Sequence, residues 1–147
     1  MESLFLKDIS KYKKGFTLLE VLIVIAIIGI LVSIGVASFS SAQKKSRDSR
    51  RRSDMKAAQN AVEQYYADSV TASYPAAGCA IPASYLPEGL PSDPKDSAPY
   101  TYTFTCATST YCFCSNLESG SGNATNNGSS GTCSYGTGSY YCVGNLQ

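Results

Sequence analysis

Glu20 stands alone in an apolar run. From Phe16 to Phe39 the chain has 24 residues, nearly all apolar, and Glu20 is the one ionisable residue among them. At about 1.5 Å of rise per residue, such a run is long enough to cross a bilayer core of about 30 Å. A carboxylate inside it costs on the order of 2.5–3.5 kcal/mol to insert, so it needs a partner. Immediately before the run sit Lys13, Lys14 and Gly15, a basic edge ending in a small residue. Cleavage after Gly15 would free an amine on Phe16 and make Glu20 the fifth residue of the shortened chain. That amine has the right sign to neutralise the carboxylate.

The cysteines offer a second chemistry. All six, Cys79, Cys106, Cys112, Cys114, Cys133 and Cys142, fall in the second half of the chain. Cys112-Phe-Cys114 has the closeness of a redox or metal pair. Yet the chain has no His, no basic activator beside the pair, and no repeat of the spacing such as a zinc ribbon carries. Structural disulfides made in an oxidising compartment are the better reading. Asp93 and Asp96 could act as acid and base, but two carboxylates in a Pro-rich loop read as turn formers. Without His there is no Ser/His/Asp set, and no Gly-rich phosphate loop precedes a helix. No catalytic, cofactor-binding or metal-binding residue is therefore assigned, and the chain reads as a non-enzyme. Asn123-Ala-Thr125 and Asn127-Gly-Ser129 fit the short acceptor pattern for glycosylation.

Charge divides the chain. Of its 12 Lys and Arg, only Lys95 lies beyond Lys56, whereas Glu63, Asp68, Glu88, Asp93, Asp96 and Glu118 all do. The near-neutral total hides a basic stem and an acidic head. The basic cluster Lys44, Lys45, Arg47, Arg50, Arg51, Arg52 and Lys56 could neutralise nucleic-acid phosphates. It follows directly on the apolar run, where anionic lipid headgroups attract such residues, and the lipid and packing reading is preferred. Seven positives after the run against four before it would place the head in the cytoplasm by charge counting. The cysteines and the Ser/Thr/Asn/Gly-rich tail point instead to export.

Five segments position these residues. Residues 1–15 form a leader to be removed; 16–39 form the membrane-spanning helix; 40–68 continue it as an amphipathic stem, since no breaker intervenes. Ala26, Gly29, Ser33 and Ala37 put small residues on one face of the span, which allows close helix approach in lipid. Along the stem, Ala42, Ser46, Ser49, Ser53, Ala57 and Asn60 make a narrow stripe of small residues. Met55, Ala58, Val62, Tyr65 and Tyr66 make an apolar one for a sheet to cover. Asp48 can pair with Arg51 and Arg52, and Asp54 with Arg50, at helical spacing. Residues 69–99, with all six prolines, read as a wrapped loop with a helical turn near Ser84.

Residues 100–147 read as an antiparallel sheet. Tyr100 to Cys106 alternates strictly, with Tyr100, Tyr102, Phe104 and Cys106 on one face and Thr on the other. A hairpin over Ala107–Thr110 would set Cys106 opposite Tyr111 and Phe104 opposite Phe113. The core face is then Tyr102, Phe104, Tyr111, Phe113 and Leu117, with Cys112 and Cys114 turned away. Residues two apart on a strand sit at the edge of bridging range with parallel side chains, so Cys112 should not bond Cys114. Cys79–Cys106 is the expected bond, with Cys112 and Cys114 taking Cys133 and Cys142 in either order. Residues 119–139 read as a solvated loop, and 139–143 as a last short strand.

Gly15-Phe-Thr-Leu-Leu-Glu20, with the apolar run behind it, resembles the cleavage signal of type IV prepilins and of the pseudopilins of type II secretion and competence systems. The resemblance covers about residues 13–40. It implies a prepilin peptidase cutting between Gly15 and Phe16, and methylation of the Phe16 amine. It further implies that Glu20 meets the N-terminal amine of a neighbouring subunit during assembly. Leu90-Pro-Ser-Asp-Pro to Pro99-Tyr100 is similar to the Asp-Pro…Pro-Tyr turn of major pseudopilins. The proline that many relatives carry near Ala37 is absent. Some major pseudopilins bind calcium through C-terminal acids; here only Glu118 is available, and no tight site is expected.

The expected fold is α+β: a long N-terminal helix on a small antiparallel sheet. The expected function is that of a structural subunit of a type IV pilus or pseudopilus. Its partners would be copies of itself, the prepilin peptidase, an assembly platform with its motor, and membrane lipid. It would sit in the inner membrane with the head outside, and outside the membrane in a fibre once assembled. The alternatives are a minor pilin or membrane-anchored module that binds a surface or DNA, and an exported redox enzyme using Cys112 and Cys114.

Overall fold

The computed structural model describes residues 15–76 and 78–146, so all of the expected leader but Gly15 lies outside the described residues. One helix, α1, runs Leu18–Asp68, beginning behind Thr17 and meeting no proline along its length. The chain divides into two compact units at Phe39/Ser40. In the first unit every described side chain of α1 is exposed, and Ala37 lies outside this description. Among these side chains are Leu22, Val24, Ile28, Leu31 and Phe39. An 18-residue window of α1 has a mean hydropathy of 2.9, long and apolar enough to cross a membrane.

In the second unit the α1 residues from Ser40 pack against a five-stranded sheet. Its strands are β1 Thr103–Cys106, β2 Tyr111–Asn116, β3 Gly122–Ala124, β4 Tyr135–Gly138 and β5 Tyr140–Gly144, in the order β1-β2-β5-β3-β4. All described pairings are antiparallel. The β1–β2 hairpin sets Phe104 opposite Phe113 and Cys106 opposite Tyr111, as the alternation predicts. Strand β1 is shorter than the alternating stretch: Tyr100 makes only an isolated bridge to Ser97.

The core lies where the period-2 face of the sheet meets the helical stripe. Met55, Ala58 and Val62 of α1 pack with Tyr74, Tyr111, Phe113 and Val143, and Tyr66, Tyr102 and Phe104 close its margin. Edge-on ring contacts of Phe104 with Phe113 (5.1 Å) and Tyr74 with Tyr111 (4.9 Å) suit the charge distribution of aromatic rings. The small-residue positions Ala42, Ser46, Ser49, Ser53, Ala57 and Asn60 are all exposed.

Three readings need correction. The segment 119–139 is not merely a solvated loop: it contributes β3 and β4, and Ala124 is fully buried. Short Gly-rich strands have too few apolar positions to show alternation. At Gly122 and Gly138 an added Cβ would collide with the backbone of Tyr140 and Ala124, so close strand approach selects glycine here. Second, Asp93 does more than form a turn; it is buried. Third, the basic cluster does not simply coat the stem, because Arg51 is wholly buried. Near Ser84 the chain makes a single turn, with the N–H groups of Tyr85 and Leu86 donating to Pro82 O.

Candidate functional site

Thr17 and Glu20 close the first turn of α1 reciprocally. The Thr17 backbone N–H and hydroxyl donate to Glu20 Oε2 (2.8 and 2.9 Å), and the Glu20 N–H donates to Thr17 Oγ1 (3.2 Å). With Leu18 as the first helical residue, Thr17 is the N-cap and Glu20 the third helical position, the pattern of a capping box. Thr-x-x-Glu ahead of an apolar run is its sequence signature, and it was open to view at residues 17–20. The lone carboxylate thus has hydrogen-bond partners within its own chain. Gly15 and Phe16 are exposed, Phe16 to 87%. The Phe16 nitrogen is a peptide nitrogen in the uncut chain, and no amine meets Glu20 among the described residues.

A charge network lies in the second unit. Arg51 is fully buried; its Nε and Nη2 donate to Asp93 Oδ2 and Oδ1 (2.6 and 2.9 Å), and its Nη1 donates to Asp48 Oδ1 (2.8 Å) and Glu118 Oε1 (2.9 Å). Arg47 forks onto the same Glu118 at 2.6 and 2.8 Å, and Lys95 stands 3.5 Å from it. Such two-pronged guanidinium–carboxylate contacts are the stronger class of charged hydrogen bond. The Arg47 fork, helped by Arg51, holds the Glu118 carboxyl down at about 2 against the opposing effect of burial. Burial works against the charge on Asp48 too, but the N–H groups of Ser119 and Glu118, with Arg51, hold its pKa below the usual value.

Three cations, Arg47, Arg51 and Lys95, face three carboxylates, Asp48, Asp93 and Glu118. The network joins α1 to the Pro-rich loop and to the turn after β2. Of its pairs, only Asp48–Arg51 is visible from helical spacing; the expected Asp54–Arg50 pair forms outside the network, at 3.9 Å. Arg52, which spacing also offered to Asp48, instead donates to Ser121 O (2.7 Å) and lies over the Tyr141 ring. The contacts to Asp93 and Glu118 span 42 and 67 residues, and no local pattern signals them.

Cysteine chemistry is confined to three disulfides. Cys79 is bonded to Cys106 on the core side, and Cys112 to Cys133 and Cys114 to Cys142 on the opposite face of the sheet. The four sulfurs of the outer pair lie within 4.8 Å of one another. As disulfides they present no thiolate to a metal ion. Gly128 covers them at φ +69°, and a Cβ there would stand 2.7 and 2.8 Å from the sulfurs of Cys112 and Cys114. Of the two glycosylation patterns, Asn123 is engaged in both directions, donating to Cys142 O (2.9 Å) and accepting from Cys142 N–H (2.7 Å).

The family model of the prokaryotic N-terminal methylation motif matches residues 10–36. The chain is 38% identical over 55 residues, 37% of its length, to the type IV major pilin protein PilA of Myxococcus xanthus, of which this covers 25%. It is 39% identical over 56 residues to the type II secretion system core protein G of Escherichia coli, and 41% identical over 56 residues to that of Aeromonas hydrophila. Each match covers 38% of this chain and 39% of the relative. The matched stretch thus spans a quarter to two fifths of these relatives. No solved structure matches the chain. Residues 10–36, with Gly15, Phe16 and Glu20 among them, thus match the prokaryotic N-terminal methylation motif, and over about 55 residues the chain is similar to a type IV major pilin and to type II secretion core proteins G.

Proposed function

We propose that this chain is a structural subunit of a type IV pilus or pseudopilus, processed before Phe16, that polymerises with copies of itself through α1. The observation that carries this reading is the exposed apolar surface made by the described side chains of residues 16–39, with a single capped carboxylate near its start. In the membrane, lipid covers that surface. On extraction it must be buried at once against other apolar helices, so the hydrophobic effect that anchors the subunit also drives its assembly.

Residues 1–15 act as the leader, 16–39 as the span, 40–68 as the stem, 69–99 as a wrapping loop and 100–147 as the head. A prepilin peptidase cuts after Gly15 and Phe16 is methylated. The freed amine then competes with Thr17 for the Glu20 carboxylate, in the same subunit or a neighbour. An assembly platform and motor extract the subunit from the inner membrane. The head lies outside, as three disulfides favour. Arg47 and Arg51, which count against that topology, serve as internal counter-charges of the folded head. No enzymatic role is assigned.

Intact-mass analysis of filament subunits tests the reading. A chain starting at Phe16, one methyl group heavier than its sequence, is expected. Subunits starting at Met1, or cut beyond residue 39, would overturn it.

A further inference from the structure

Two stretches of the head, Asn123-Ala-Thr125 and Asn127-Gly-Ser129, carry the Asn-x-Ser/Thr pattern to which oligosaccharides are attached. Both asparagines reach solvent, and what separates them is their bonding. Asn123 lies in β3, an inner strand with β5 on one side and β4 on the other. Both ends of its amide are held by the backbone of Cys142: Nδ2 donates to the carbonyl at 2.9 Å, and Oδ1 accepts the N–H at 2.7 Å. The hydroxyl of its pattern, on Thr125, donates to Ser134 O at 3.3 Å. Asn127 lies in the loop between β3 and β4. Two bonds between Asn126 and Ser134, at 2.9 and 3.2 Å, close the base of that loop. Beyond them Asn127, Ser129, Ser130 and Thr132 are exposed. Asn127 Oδ1 accepts the Ser129 N–H at 3.3 Å, a side-chain turn that joins the two residues the pattern requires. Asn127 Nδ2 and Ser129 Oγ have no partner among the described residues.

Attachment of a sugar needs a free amide nitrogen. Nδ2 bonds to the anomeric carbon while the bond from that carbon to a polyprenyl pyrophosphate breaks. The pyrophosphate leaves with the electron pair, and Nδ2 gives up one proton. At Asn123 this would break the bonds to Cys142 and put a bulky, solvated group where β3 meets β5. At Asn127 no bond to the nitrogen has to be broken. We infer that Asn127 is the acceptor of an N-linked oligosaccharide, added to the folded head from a polyprenyl-pyrophosphate donor, and that Asn123 is not. In the cell this rests on the export of the head proposed above. The sugar stands on the loop whose Gly128 covers the sulfurs of Cys112 and Cys114.

The choice between the two asparagines is the test. Unmodified full chain in detergent is given to a single-subunit oligosaccharyltransferase with a polyprenyl-pyrophosphate oligosaccharide, once folded and once reduced and unfolded. The folded chain should take sugar at Asn127 alone, and the unfolded chain at both sites. Asn127→Gln and Ser129→Ala, both exposed changes, should abolish the added mass on the folded chain, and Ser129→Thr should keep it. Thr125→Ala destroys only the Asn123 pattern and should leave the modification as in wild type. A folded chain bare at Asn127, or modified equally at Asn123, would overturn the assignment. Subunits from native membranes and filaments are then mapped by electron-transfer fragmentation, which locates the sugar. Sugar at Asn127 is expected; a bare Asn127, or sugar only on serine or threonine hydroxyls, would overturn its use in this protein. Protease accessibility in spheroplasts tests export separately. A head shielded from the protease would sink the export reading, whereas an accessible head bare at Asn127 would sink only this one.

Discussion

Replacing Arg51 by Met removes the centre of the charge network while keeping much of the side-chain volume. Three carboxylates lose a partner at 2.6–2.9 Å, and Asp93 loses both prongs of its fork. Arg47 and Lys95 still serve Glu118, and Asp48 keeps two N–H donors, so Asp93 is the group left stranded. Its side chain is fully buried, with only the Lys95 N–H (2.8 Å) remaining to it among the described residues. Breaking a buried ion pair from one side costs about 3–5 kcal/mol. A small domain has about 5–15 kcal/mol of stability in all. At about 4–8 °C per kcal/mol, the melting temperature of the head should fall by at least about 12 °C. Thermal unfolding of the detergent-solubilised full chain, followed by near-ultraviolet tyrosine dichroism, reports the head separately from the apolar helix. Adding Asp93→Asn to Arg51→Met removes the stranded charge and should recover part of the loss. A fall of under about 4 °C for Arg51→Met, or strictly additive losses in the double variant, would refute the view that these charges are energetically one unit.

The same network makes the head acid-sensitive. The folded Glu118 carboxyl is held near 2, below its ordinary value of 4.5, so its contribution is complete above pH about 4.5 and should drain away as pH falls towards 2; a flat melting temperature across that window would contradict it. Gly128→Ala adds a methyl group against two disulfides at a positive φ, and strain plus overpacking should cost about 2–4 kcal/mol in denaturant melts. Glu20→Gln should leave insertion and cleavage intact but cut filament yield sharply when it is the sole subunit; filaments of normal number and length by electron microscopy would remove Glu20 from assembly.

Much of this architecture is legible in the sequence, for identifiable reasons. Tyr100 to Cys106 alternates cleanly, and a four-residue connection to Tyr111 leaves one sensible register; both hairpin pairings follow. The Met55–Val62 stripe announces the helix face that the sheet covers. Strands β3 and β4 are illegible because glycine, asparagine and serine fill them, and their geometry is set by close backbone approach to β5 rather than by side-chain pattern. Arg51 is misread for a different reason. It stands one turn before Met55, in line with the buried stripe, but its charge and its polar neighbours Arg47, Asp48 and Asp54 make it read as solvated. Its burial depends on two carboxylates supplied from far along the chain, and pairing at that range leaves no local trace.

On the proposed topology, in which the head is exported, the two outer disulfides have a consequence for the order of events. Cys112–Cys133 and Cys114–Cys142 interleave along the chain: each begins before the other has ended. In a chain emerging from its amino end, the thiols appear as 79, 106, 112, 114, 133 and 142. Joining each new cysteine to its predecessor gives Cys79–Cys106 correctly, then Cys112–Cys114 and Cys133–Cys142, both wrong. The native pattern cannot be reached by such first-come oxidation. Either the sheet pairs while these four thiols are still reduced, or an isomerase reshuffles them afterwards. A cell lacking disulfide isomerase should accumulate heads with the first bond intact and the outer pair scrambled.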